Sequence, residues 1–161
     1  MASDYLLKID GIKGESTDAK HKDEIEIESF SWGASQPGTF ASGGGGGAGK
    51  VSFQDLHFTT RTSVASPNLM VACASGQHIK VATLTVRKAG KEQQEYYIIK
   101  LSDNLVSSYQ SGGSEGSTAV PVDQFSLNFA KIEFEYKSQK PDGSLGAPVK
   151  GGWDLKANKK V

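Results

Sequence analysis

Glu24-Ile25-Glu26-Ile27-Glu28 alternates apolar and acidic residues without a break, and then the alternation changes phase. The next apolar residues, Phe30 and Trp32, fall at even positions where the isoleucines were odd. Val51 and Phe53 give way to Leu56 and Phe58 in the same manner, and Phe125, Leu127 and Phe129 to Ile132, Phe134 and Tyr136. Period two marks a half-buried strand, and a slip of one residue turns every later side chain to the other face. A chain with three such slips does not fit one flat sheet with a single buried face. It must bend at bulges, or pass from one sheet to another at corners. The expected fold class is therefore mainly β: a β-barrel of two antiparallel-rich sheets.

Further strands are expected at Tyr5 to Ile12, Val81 to Arg87, Leu105 to Tyr109 and Trp153 to Leu155. Tyr96-Tyr97-Ile98-Ile99-Lys100-Leu101 is apolar on both faces. Such a strand is central, or its outer face is covered by another chain. One short flanking helix is expected, about Ser66 to Gly76. Ser66 is a good N-cap residue, Pro67 suits the first helical position, and Gly76 suits the left-handed position after the last turn. Leu69, Met70, Ala72 and Cys73 would form its apolar stripe. At 161 residues and 17.1 kDa the chain suits one domain, 1–161. Three loops stand out: Gly14 to Lys22, the glycine run Gly43 to Gly49, and Ser111 to Thr118. Their polar and glycine-rich composition predicts mobile connections.

Eighteen Lys and Arg cancel eighteen Asp and Glu, so no long-range field draws the chain to nucleic acid or an anionic membrane. Arg61, Arg87, Lys88 and Lys91 lack the interleaved aromatics of a nucleic-acid surface. No apolar run approaches the roughly 18 residues of a spanning helix, so no membrane insertion is expected. A single cysteine, Cys73, excludes a disulfide scaffold and is expected to be a small buried thiol. Asp4, Lys8 and Asp10 interrupt the apolar N-terminus, which lacks the core of a secretory signal peptide; folding in the cytoplasm is expected.

Motifs with catalytic meaning fail on context. Gly44, Gly49 and Lys50 fit most of a P-loop, but Val51 stands where Ser or Thr should hold magnesium, and a strand follows rather than a helix. Gly112-Gly113-Ser114-Glu115-Gly116 fits a nucleophile elbow, yet Pro121 and a strand follow it. All three histidines, His21, His57 and His78, precede Ser114, against the required order. His21 near Asp18, Asp23 and Glu24 reads as a solvated loop rather than a metal site. No catalytic residue, cofactor or metal is assigned, and the chain is not expected to be an enzyme.

An ordered set of segments does carry a resemblance. It begins with Tyr5-Leu6-Leu7-Lys8-Ile9-Asp10-Gly11-Ile12, Gly14-Glu15-Ser16-Thr17-Asp18 and His21. It continues through Ser29-Phe30-Ser31-Trp32-Gly33, Ala65-Ser66-Pro67, Gly76-Gln77-His78 and Arg87-Lys88-Ala89-Gly90, and closes on Gly146-Ala147-Pro148 and Gly152-Trp153-Asp154-Leu155. In this set the chain resembles the hemolysin-coregulated protein (Hcp) family, the tube subunits of bacterial type VI secretion systems. The resemblance implies a barrel of two sheets with a helix at its side. It implies a homohexameric ring that stacks into a tube, with a spike protein at the tip, a contractile sheath outside and effector cargo protected in the channel. It further implies synthesis in the cytoplasm and secretion through the type VI machine.

On that reading, the ring-stacking loops are expected at Glu15, Ser16, Thr17, Asp18, Lys20 and Lys22, and at Ser42, Gly43, Gly44, Gly45, Gly46, Gly47 and Gly49. Tyr96, Tyr97, Ile98, Ile99 and Leu101 are expected at the lateral interface. The alternatives are a non-catalytic β-sandwich module binding a peptide or small ligand, and an effector enzyme fused to such a tube. Little chain follows Trp153 to hold a fused domain.

Overall fold

The computed structural model describes residues 3–38, 49–88, 92–116 and 119–161. In chain order the strands are β1 (Ser3–Ile9), β2 (Ile25–Glu26), β3 (Ser29–Ser31), β4 (Ala34–Ser35), β5 (Ser52–Phe53) and β6 (Leu56–Arg61). Helix α1 (Ala65–Ser75) follows, then β7 (Ile79–Lys88), β8 (Glu95–Gly112), β9 (Val122–Tyr136), β10 (Val149–Asp154) and β11 (Lys159–Lys160). The fold is mainly β, with two sheets and one short helix. The large sheet has the order β11-β10-β9-β8-β7-β1-β2, and β6 branches from β9 with β3 beside it. The small sheet is the β4–β5 pair. Every strand pair is antiparallel. The order is an open path with a branch, and no closed barrel is found among the described residues.

The phase slips are where strands change partners. β9 pairs with β6 from Val122 to Leu127 and with β10 from Lys131 to Tyr136. Its alternation slips between Phe129, which is buried, and Ile132, also buried. β8 slips at the same level, from Ile99 and Leu101 to Asn104 and Val106. Asp103 absorbs that slip with a left-handed backbone, φ 55°. Two strands read separately from the sequence are thus one 18-residue strand, which turns over at Asp103 and bulges against β9 between Val106 and Ser108. Both halves keep apolar residues inward because the inward parity changes at the bend.

The core gathers Leu7, Ile9, Ile25, Leu56, Phe58, Leu84, Ile99, Leu101, Phe125, Leu127 and Ile132. Phe58 and Phe125, cross-strand partners, stack with centroids 5.0 Å apart. Helix α1 seals the β8 side of this core with Ala65, Leu69 and Ala72. It starts two residues earlier than the expected cap at Ser66, with Val64 at the N-cap position. Ser66 Oγ instead accepts from Ser63 N at 3.0 Å and donates to the buried carboxylate of Asp123. Gly76 closes the helix at φ 64°, as its position predicts. Met70 points to solvent rather than to the core, and Cys73 is half-buried rather than buried.

Candidate functional site

The loop from Gly14 to Lys22 is not a mobile connection: the chain ties it down along its length. Gly14 and Ser16 amides donate to Asp23 and Glu24 carbonyls, and Asp23 N donates back to Ser16 O. Arg87, buried on β7, grips Asp18 with both ends of its guanidinium, at 3.0 and 2.6 Å, and Asp4 with Nε at 3.2 Å. That hydrogen bond holds the Asp18 carboxyl far below the usual carboxylate range, assisted by the Lys20 and His21 amides. His21, expected in solvent, is buried. Its Nδ1 lies 2.7 Å from Glu24 Oε2 and its Nε2 2.7 Å from Glu95 Oε1. Each contact needs a proton between its two atoms. The ring thereby links the loop to the start of β8.

Two consequences are measurable. Arg87→Ala strips the loop of its buried cation and is expected to cost about 3 kcal/mol in denaturant unfolding, with amide exchange rising first at residues 16–23. The second is a pH effect. The Asp18 pKa is lowered on folding, so its contribution is present above the ordinary carboxylate range and is lost as pH falls below about 4. Acid unfolding should therefore shift in Asp18→Asn, which has nothing to protonate there.

Of the expected stacking residues, Asp18 is consumed by Arg87, and Glu15 accepts from Val64 N at the start of α1, 3.0 Å away. Ser16 is buried. Thr17, Lys20 and Lys22 remain exposed. Ser42 and Gly43 to Gly47 lie outside the described residues. Gly49 is packed where a Cβ would stand 2.6 Å from Pro37 Cγ.

Of the expected lateral residues, Ile99 and Leu101 are sealed in the chain's own core. Tyr97 turns the same way, with its ring 4.7 Å from Phe134 and its hydroxyl accepting from Trp32 Nε1. Burial pushes the Tyr97 phenol up. Tyr96 and Ile98 face outward. On their face Lys100 approaches Glu133 at 4.0 Å and Lys150 approaches Glu135 at 3.6 Å. Ser114 lies between β8 and β9, with a strand following and not the helix an elbow requires. Among the described residues, no three His, Cys, Asp or Glu side chains are grouped to hold a metal.

A further feature escaped the sequence reading. β10 starts at Val149, four residues before Trp153, and carries Gly151 and Gly152 in its interior. By register Gly151 lies opposite Phe134 on the face of Trp153 and Val149. Without a side chain there, the face opens into a groove of about 420 Å³ walled by Trp32, Phe53, Phe134, Tyr136, Val149 and Trp153. Adjacent glycines inside a strand were the available signal.

The family described as Type VI secretion system effector, Hcp matches residues 6–136. A curated relative, protein hcp1 of Pseudomonas aeruginosa, is 50% identical over 160 residues, 98% of each chain. A solved structure described as a type six secretion system protein superposes with a TM-score of 0.94 at 33% identity, covering 99% of this chain and 100% of the other. Hcp1 from Salmonella typhimurium superposes at 0.81 with 37% identity, covering 100% of both.

Proposed function

The chain belongs to the Hcp family of the type VI secretion system, and from that membership we propose that it is a tube subunit: six copies form a ring, and rings stack into a hollow tube. The observation that carries the reading is the match along almost the whole length to a 50% identical Hcp protein. The tube carries a spike at its tip, lies inside a contractile sheath, and shelters effector proteins in its channel. It leaves the cytoplasm through the type VI machine. Among the described residues no helix is long and apolar enough to cross a membrane.

Within each subunit we read the run from β2 to β3 as the seam of a barrel. Glu26 pairs with Leu6 of β1, and Phe30 pairs with Phe58 of β6. Between them Ile27 N donates to Tyr5 O at 2.9 Å and Glu28 N to Thr59 O at 2.8 Å. The run thereby touches both free edges. At the ring junction, Thr17, Lys20, Lys22 and the glycine run are the proposed stacking elements. Tyr96 and Ile98 remain for a lateral neighbour.

Negative-stain images of the purified protein test the reading. Rings with a central hole, and stacks of them at high concentration, are the expected result. Particles without a hole would overturn it. A parallel test is release of the protein into culture medium, which should stop when the sheath is disabled.

A further inference from the structure

The Gly14 to Lys22 loop is fastened to the large sheet by two charged grips of different kinds. Register sets Asp4, Arg87 and Glu95 side by side on β1, β7 and β8. The loop lies over this row, with Asp18 on Arg87 and His21 on Glu95. A guanidinium keeps its charge at every pH a protein meets. The Asp18 grip therefore persists wherever Asp18 is ionised. The other grip depends on an imidazole, the side chain that gains and loses a proton near neutrality.

Glu24 Oε2 and Glu95 Oε1 each lie 2.7 Å from a ring nitrogen of His21, the length of a charge-assisted hydrogen bond. An ionised carboxylate only accepts, so with both glutamates ionised both ring nitrogens must donate. The ring is then an imidazolium between two anions. Other charged groups surround it. On the loop, the Asp18 carboxylate accepts from His21 N at 3.2 Å, Glu24 is followed by Glu26 on β2, and Lys20, Lys22 and Asp23 are exposed. Glu26 shares a hollow with Asp4, Asp18 and Arg87. Arg87 is the buried guanidinium of the group, and Asp4 and Asp18 already occupy it. It is not free to take over the glutamates when the ring becomes neutral.

Loss of one proton turns a nitrogen lone pair toward a carboxylate, and that contact fails. Glu95 is the partner given up. Its side chain is 34% exposed against 10% for Glu24, so water can take the place of the ring. We propose that His21 is a proton-operated latch: charged, it fastens the loop to the start of β8, and neutral, it releases that end while Asp18 stays on Arg87. The loop carries Thr17, Lys20 and Lys22, so the latch sets whether these proposed stacking residues are held in place. Only that last consequence rests on the tube-subunit reading.

Hydrogen–deuterium exchange read by mass spectrometry from pH 5.5 to 9, on the native chain in whatever assembly it forms, tests the latch. This range stays above the acid loss at Asp18. Slow exchange at the imidazole C2 position follows the proton on His21 itself, with exposed His57 and His78 as references. As His21 loses its proton, amide protection of residues 20–24, corrected for the intrinsic pH dependence of exchange, should fall about tenfold, the loss of one charged hydrogen bond. Protection of β7 and β8 should not change. Glu95→Gln supplies the second arm. A carboxamide accepts from an Nε2–H or donates to a bare Nε2, so protection in this variant should no longer follow the His21 proton. Native protection that stays level while His21 titrates, or a variant that keeps the native profile, would overturn the proposal. A His21 ring that keeps one protonation state throughout would overturn it too. All of these readings come from within one chain: a failed latch in a chain that forms tubes leaves the tube-subunit reading intact, and a working latch in a chain that forms none leaves the latch intact.

Discussion

Phe125→Ala is expected to cost about 3–5 kcal/mol of folding stability, the range for removing a large aromatic from a sealed site. Phe125 is 1% exposed and stacks on Phe58 from the facing strand β6. It lies in the part of β9 that joins β6 to β8, so three strands close on this ring. By register Leu127 and its partners Leu56 and Val106 are the next buried residues along the strands, and their backbone pairing leaves them little freedom to collapse inward. Two residues of β9 beside it, Asp123 and Ser126, are buried and polar, and their side chains hydrogen-bond to Thr62 and Ser108, tying the same stretch to its surroundings. A denaturant titration with an unchanged slope and a lower midpoint is the expected record. A loss below about 1 kcal/mol would mean that the stack is not a rigid part of the core.

Gly14→Ala is expected to destabilise by about 3 kcal/mol, through backbone rather than side-chain crowding. A Cβ at Gly14 would stand 2.5 Å from Glu24 O, 2.7 Å from Ile25 Cα and 2.8 Å from Glu24 C. All three are main-chain atoms, and no rotamer change relieves them. The loop would have to lift from β2, taking the Gly14 to Asp23 and Ser16 to Glu24 hydrogen bonds with it. The grip of Arg87 on Asp18 would be drawn apart by the same movement. Amide exchange should therefore quicken at Ser16, His21 and Asp23 while β8 and β9 stay protected. Equal protection in variant and parent would show that the loop tolerates the methyl group.

The bends of this fold were legible because they need only local alternation. The shift from Ile27 to Phe30, and from Phe129 to Ile132, can be seen within a few residues. The continuity of β8 was not legible, because Ser102-Asp103-Asn104 has the composition of a turn. It stays in a strand, in unbroken register with β7 and β9 on either side, while the left-handed Asp103 turns the side chains over. Ser66 followed by Pro67 has the local chemistry of a helix start, but Asp123, 57 residues away, claims the Ser66 hydroxyl. The loop at Gly14 to Lys22 looked free for the same reason. Its anchors, Arg87 and Glu95, lie 69 and 74 residues from Asp18 and His21. The two-faced strand shows the converse limit. Alternation separates Ile98 from Ile99 but does not say which face the chain itself covers.

Light scattering on the freshly purified protein, at micromolar concentration, tests the tube-subunit account most directly. A monodisperse species at six times the 17.1 kDa chain mass is expected. A monodisperse species at 17.1 kDa would contradict it.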